Sequence, residues 1–91
     1  MRFVGVVRKA AKSDYGVDFP DLPGCITAGR TMPIARRHAA EALALHLDGL
    51  VADGQLIPVA RSLAAIRDDP ACRGSTTLIL VEALKAGGRL T

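Results

Sequence analysis

Hydrophobic positions change period twice along the chain, and the changes mark its elements. Residues 2–10 read RFVGVVRKA: Phe3, Val4, Val6 and Val7 are strand formers, and Arg8 with Lys9 marks an end that reaches solvent. Residues 12–14 (KSD) form a polar turn. In residues 15–19 (YGVDF), Tyr15, Val17 and Phe19 alternate with Gly16 and Asp18, the period of a half-buried strand. The two runs are predicted to pair as an antiparallel hairpin. Residues 20–24 (PDLPG) hold two prolines, an aspartate and a glycine, which makes a stiff, ordered turn. Residues 25–28 (CITA) suit a third strand, closed by Gly29.

The period then becomes helical. Thr31 is the candidate N-cap and Pro33 falls in the first turn, where its missing N–H costs nothing. A helix is predicted over residues 32–52, ended by Asp53-Gly54. At about 100° per residue, Ala35, Ala39, Ala42, Leu43, His46, Leu47 and Leu50 share one broad face. Arg37, Glu41 and Asp48 lie opposite. After a connection containing Pro58, Ser62 caps a short second helix reaching about Asp69 and stopped by Pro70. Residues 71–75 read as loop. Residues 76–81 (TTLILV) form an unbroken apolar run, expected to be a strand buried on both faces.

The order β-β-β-α-α-β, with a helical crossover returning the last strand beside the first, predicts an α+β domain. Its expected form is one four-stranded mixed sheet with the helices on one face. Residues 1–82 are the expected domain and 83–91, with Gly87-Gly88, a tail.

Composition narrows the function classes. With 91 residues the chain is one domain, and 49% hydrophobic residues at 23% charged argue against disorder. Aromatics are 3% (Phe3, Tyr15 and Phe19), too few for a base-stacking platform. The formal net charge is +3. Seven basic residues against three acids up to Arg37 give +4, and five against six beyond it give −1. Cys25 and Cys72 are far apart and outside any metal-ligand spacing. A disulfide between them stays open, and reduced thiols of a cytoplasmic protein are the simplest reading. No apolar run approaches the ~18 residues of a membrane span.

Little here has the spacing of an active site. Asp14, Asp18 and Asp21 cluster near the second strand, yet metal-dependent phosphodiester cleavage needs carboxylates converging from several elements. The first strand offers none. His38 and His46 differ by about 80° around the helix and do not pair as ligands. Neither GxSxG nor GxGxxG nor a P-loop occurs. No catalytic residue, metal or cofactor is therefore expected. Arg30, Arg36 and Arg37 are the one basic group placed to touch a phosphate or a partner.

One stretch is far more specific. Residues 15–29 read YGVDFPDLPGCITAG, and this resembles the signature of the HicB-like antitoxin family: an aromatic strand, then D-x-P-D-L-P-G-C, a short strand, and a helix rich in Ala and Leu. Asp18, Pro20, Asp21, Leu22, Pro23, Gly24 and Cys25 all match. The helical EALALHLDGL (41–50), Asp53-Gly54 and Ile57-Pro58 are also similar, so the likeness spans about residues 1–81.

The resemblance implies a truncated ribonuclease H-like fold without nuclease activity, in a cytoplasmic antitoxin. It implies binding to a HicA toxin, a small mRNA-cleaving protein, and masking of that toxin's catalytic surface. Relatives usually add a C-terminal segment for operator binding and dimerisation. The chain ends at Thr91, so direct DNA binding is not expected of it. Relatives also tend to open the helix with acids, where this chain has Arg30, Pro33, Arg36 and Arg37. Asp18, Pro20, Asp21, Leu22, Pro23, Arg30, Arg36 and Arg37 are the candidate partner contacts. A homodimer or larger assembly is expected, since a four-stranded sheet leaves open edges. Two further readings are an orphan HicB-like domain with another protein partner and a ribonuclease H-like nucleic-acid-binding domain.

Overall fold

The computed structural model describes residues 1–74 and 77–83. Four strands form one sheet: β1 (Arg2–Arg8), β2 (Tyr15–Asp18), β3 (Ile26–Gly29) and β4 (Thr77–Glu82), in the order β3-β2-β1-β4. Helix α1 (Met32–Ala52) follows β3, and a one-turn helix, α2 (Leu63–Arg67), precedes a 3-10 turn at Pro70–Cys72. The last strand does return beside the first. The 83–91 tail, apart from Ala83, lies outside the described residues, as does Thr76.

Every strand pairing is antiparallel, so the sheet is not mixed. The reason lies in the crossover. The chain leaves β3 through α1, which runs back down the sheet, and the connection after it passes round that lower end before β4 begins. Helix α2 therefore reaches the opposite sheet face from α1, and the helices do not share one face. Two separate apolar clusters record this. Phe3, Val7, Val17, Phe19, Ile79 and Val81 pack against Ala35, Ala39, Leu43, Ala44 and Leu47 of α1. Val4 and Val6 pack with Ile66, Cys72 and the flank of Leu78 on the far side.

The doubly buried strand is thus β1, whose residues 3–7 are all buried. The more apolar TTLILV run instead supplies an edge strand, β4, with Leu80 47% exposed. Position in the sheet, not apolar content, decides burial on both faces.

Helix α1 has the predicted limits. Thr31 Oγ1 accepts from the Ile34 N–H at 3.3 Å, and Gly54, at φ +71°, follows the Asp53 C-cap. The small residues on its inner face let it lie close to the sheet. Gly29 marks the closest approach: a Cβ there would fall 2.5 Å from the Ala35 backbone N.

Candidate functional site

The PDLPG run folds into two consecutive tight turns. The Leu22 N–H donates to the Phe19 carbonyl at 2.9 Å, and the Cys25 N–H to the Leu22 carbonyl at 3.0 Å. Pro20 and Pro23 each occupy the second position of a turn, which their fixed φ suits, and Gly24 at φ +90° occupies the third position of the latter. The Phe19 N–H then donates to the Cys25 carbonyl at 3.2 Å and closes the loop onto the β2–β3 ladder. Phe19, Leu22 and Cys25 point inward and are buried, while Pro23 and Gly24 remain outside. Full burial of a side chain such as Leu22 contributes about 2 kcal/mol, so the loop is anchored by its own hydrophobic residues.

Asp21 is held from within the molecule. Its carboxylate accepts from the Arg61 backbone N–H at 2.8 Å and from Arg61 Nε at 2.6 Å, and its side chain is only 10% exposed. Arg61 Nη1 reaches Asp69 at 2.9 Å, and Asp69 also accepts from the Ala71 N–H at 2.9 Å. The hydrogen bonds from Arg61 and from that backbone N–H hold the Asp69 carboxyl below the usual carboxylate range. This clamp ties the β2–β3 turn to the start of α2 and to the 3-10 turn, and so fixes the chain where it wraps from one sheet face to the other. No sequence motif announces it, since its members are up to 48 positions apart.

The eight candidate contacts do not form one cluster. Asp21 and Leu22 face inward and support the turn. Asp18, half-buried, pairs with Arg8 across the β1–β2 ladder at 2.6 Å on the far sheet face. Pro20 is half-buried and Pro23 exposed. Arg30, Arg36 and Arg37 are exposed at the other end of β3 and the start of α1. None of the three has an ion-pair partner among the described residues. The rigid turn and the basic group therefore flank β3 at its two ends.

What lies between them is apolar. A shallow groove is lined by Gly24, Cys25, Ile26, Ala42, Leu45 and His46. Ile26 and Leu45 are 70% and 69% exposed, large for aliphatic side chains in a single patch. The sequence pattern gives each only a solvent-facing position, with no signal that the fold sets the two side by side. His46, placed on the helix's apolar face by its spacing, sits half-buried at the rim of this groove. His38 reaches β3 directly, its Nδ1 2.8 Å from the Ala28 carbonyl.

Both cysteines are free and buried. Burial pushes the thiol pKa up in each case, the opposite of what a nucleophile needs. The Cys25 Sγ lies 3.7 Å from the Ala42 carbonyl and serves as packing between β3 and α1. Asp14, Asp18 and Asp21 do not converge: Asp18 faces Arg8, Asp21 faces Arg61, and Asp14 is exposed beside the β1–β2 turn. Among the described residues no group of three His, Cys, Asp or Glu side chains could hold a metal ion, and no helix is long and apolar enough to cross a membrane.

Residues 3–86 match the HicB-like antitoxin of bacterial toxin–antitoxin systems. The chain belongs to the HicB-like antitoxin family. The solved structures agree. The antitoxin HicB of Burkholderia pseudomallei superposes with a TM-score of 0.79 at 29% identity, over 90% of this chain and 62% of that one. A chain in the structure of a HicA3 and HicB3 toxin–antitoxin complex gives a TM-score of 0.75 at 29% identity, over 90% and 96% of the two chains. An uncharacterized 14.9 kDa protein from the rep-hol intergenic region of Haemophilus phage HP1 is 34% identical over 56 residues, 62% of this chain and 42% of that protein. The chain thus spans less than half of the phage protein and 62% of the Burkholderia antitoxin. Its likeness to that HicB's N-terminal domain alone is nearly end to end, 90% of this chain and 96% of the domain, with a TM-score of 0.74.

Proposed function

We propose that this HicB-like chain is a non-catalytic antitoxin module of the cytoplasm that binds a HicA-type toxin and masks its mRNA-cleaving surface. The observation that carries the reading is the fold itself, which superposes with a TM-score of 0.75 at 29% identity on a chain from a HicA3 and HicB3 toxin–antitoxin complex. The contact surface runs along the β3 side of the molecule. Pro23 and Gly24 stand at one end, Ile26 and Leu45 in the middle, and Arg30, Arg36 and Arg37 at the other. Pro20 lies within the turn and Asp18 precedes it, while Asp21 and Leu22 hold it in shape. An apolar centre bounded by charge is the usual anatomy of a protein interface.

The test is calorimetric titration of this chain with a purified HicA-type toxin. Tight binding is expected, and the combined Arg30→Glu, Arg36→Glu and Arg37→Glu variant weakens it at least about tenfold. Leu45→Glu, on an exposed site that folding does not use, weakens it further. Full-strength binding by both variants would move the interface off β3, and absence of any binding by the unmodified chain would reject the antitoxin reading.

A further inference from the structure

The register of the sheet gathers positive charge at one end of the molecule. Arg8 of β1 pairs with Gly16 of β2, and Tyr15 of β2 with Gly29 of β3, so the end of β1, the start of β2 and the end of β3 lie together. Helix α1 starts at the same end, since Gly29 is set against the backbone of Ala35. Lys9 and Lys12 sit in the β1–β2 connection, Arg30 follows β3, and Arg36 and Arg37 follow Ala35; all five are exposed. Asp18 is paired with Arg8, so the acids nearest them in sequence and register are Asp14 and Glu41. Five basic residues against these two leave +3, which equals the formal net charge of the whole chain. Local structure does not favour this placement. Lys12 has φ +66°, the left-handed region in which Gly or Asn costs less. The first turn of α1 carries no acid to offset the positive end of the helix dipole, and Arg30 stands one residue before its cap.

We propose that this basic end holds single-stranded RNA by its phosphates, without reading its sequence. Phosphate contacts need only charge and reach, which exposed Lys and Arg side chains supply. Other anionic surfaces ask for more. A protein interface is built on buried apolar and aromatic anchors, and a lipid surface takes apolar side chains that insert. Among the described residues the large aliphatic side chain exposed at this end is Ile34, at 40%. Base stacking is not offered either, since Tyr15 is half-buried and Lys9 Nζ stands 5.3 Å from its ring centroid. A duplex read in its groove needs an element that enters it, whereas α1 lies against the sheet through Ala35 and Ala39. The choice of RNA as the strand rests on the antitoxin reading, because the proposed toxin cleaves mRNA and that is the polyanion the pair meets. The phosphate contact itself does not rest on it. Arg30, Arg36 and Arg37 also bound the β3 side, so the two lysines, which do not, decide the test.

The test is fluorescence anisotropy of a labelled single-stranded RNA of about 20 nucleotides, titrated with the whole chain alone from about 20 to 200 mM salt. Binding in the micromolar range is expected at low salt, and its logarithm should fall against that of salt with a slope of about −3, as about 0.7 for each of five phosphates requires. Lys12→Asn should weaken binding several-fold and flatten the slope by about 0.7. Asn suits the left-handed backbone, so this variant should keep or raise its thermal midpoint, which separates lost contact from lost fold. Adding Lys9→Gln should flatten the slope by about as much again. Arg2→Gln, at the opposite end of β1, should change neither affinity nor slope. No binding at low salt, a salt-independent affinity, or unchanged binding by the folded Lys9→Gln, Lys12→Asn variant would each overturn the proposal. So would binding to duplex DNA of the same length more than about tenfold tighter than to RNA. Toxin is absent from the measurement, so failure here leaves the antitoxin reading to its own test.

Discussion

At the scale of single residues, the family signature divides into groups that face the core and groups that face outward. Asp21 belongs to the first kind although it is a carboxylate in a loop. Asp21→Ala removes an ion pair and a bond to the Arg61 backbone N–H, and with them the tie between the turn and the start of α2. A lowered thermal midpoint for the variant checks this, and an unchanged midpoint would show the clamp to be idle. Gly29 is constrained by space. Gly29→Ala forces its new Cβ onto the Ala35 backbone, so α1 must lift from β3, at a cost of about 1–3 kcal/mol. The measurement is a urea midpoint, and equal stability would mean that the helix start yields freely. The thiols form a third case. Cys25 and Cys72 are buried, with pKa values raised by that burial, and in the folded protein both should react with a small alkylating reagent far more slowly than after denaturation. Rapid labelling at neutral pH would contradict their placement in the core.

At the scale of elements, the sequence carried most of the local structure. The alternation in YGVDF, the Thr31 cap and the Asp53-Gly54 stop placed β2 and α1 because each is dictated by neighbours within a few positions. Two features were not legible. The burial of β1 and the edge position of β4 depend on which strand the crossover leaves outermost. The clamp of Asp21, Arg61 and Asp69 depends on the connection bringing Arg61 back to the turn. Short-range pattern holds no record of either. The β3-side patch of Ile26 and Leu45 was hidden for the same reason, while the stiffness of the FPDLPGC turn beside it was legible and the inward roles of its Asp21 and Leu22 were not. The clamp also sets an acid limit. Arg61 and the Ala71 N–H hold the Asp69 carboxyl below its usual range, and the amino terminus and Arg2 do the same for Glu82. A depressed carboxylate pKa stabilises the fold above the unfolded value of about 4, and that stability is lost as pH falls through the folded pKa. Denaturant midpoints should therefore be level between about pH 7 and 5 and fall below about pH 4. Arg61→Ala should lower the plateau and shrink the fall. Glu82, half exposed, should contribute a smaller part that salt removes.

At the scale of the whole molecule, the two edges of the sheet carry different loads. The β3 side presents a rigid turn, an apolar groove and a basic group, and the β4 side presents an unprotected strand. The strand order β3-β2-β1-β4 places the two on opposite sides of the sheet. Among the described residues Asp14, Asp18 and Asp21 do not converge, and both thiols are buried. The central claim is that the chain silences a HicA-type toxin by occupying it. It is tested most directly by adding increasing amounts of this chain to a purified HicA-type toxin and following cleavage of a labelled mRNA. The account predicts that cleavage falls in proportion to added chain and stops near stoichiometric amounts, with Leu45→Glu needing a large excess. Cleavage that continues undiminished at saturating amounts of the folded chain would contradict it.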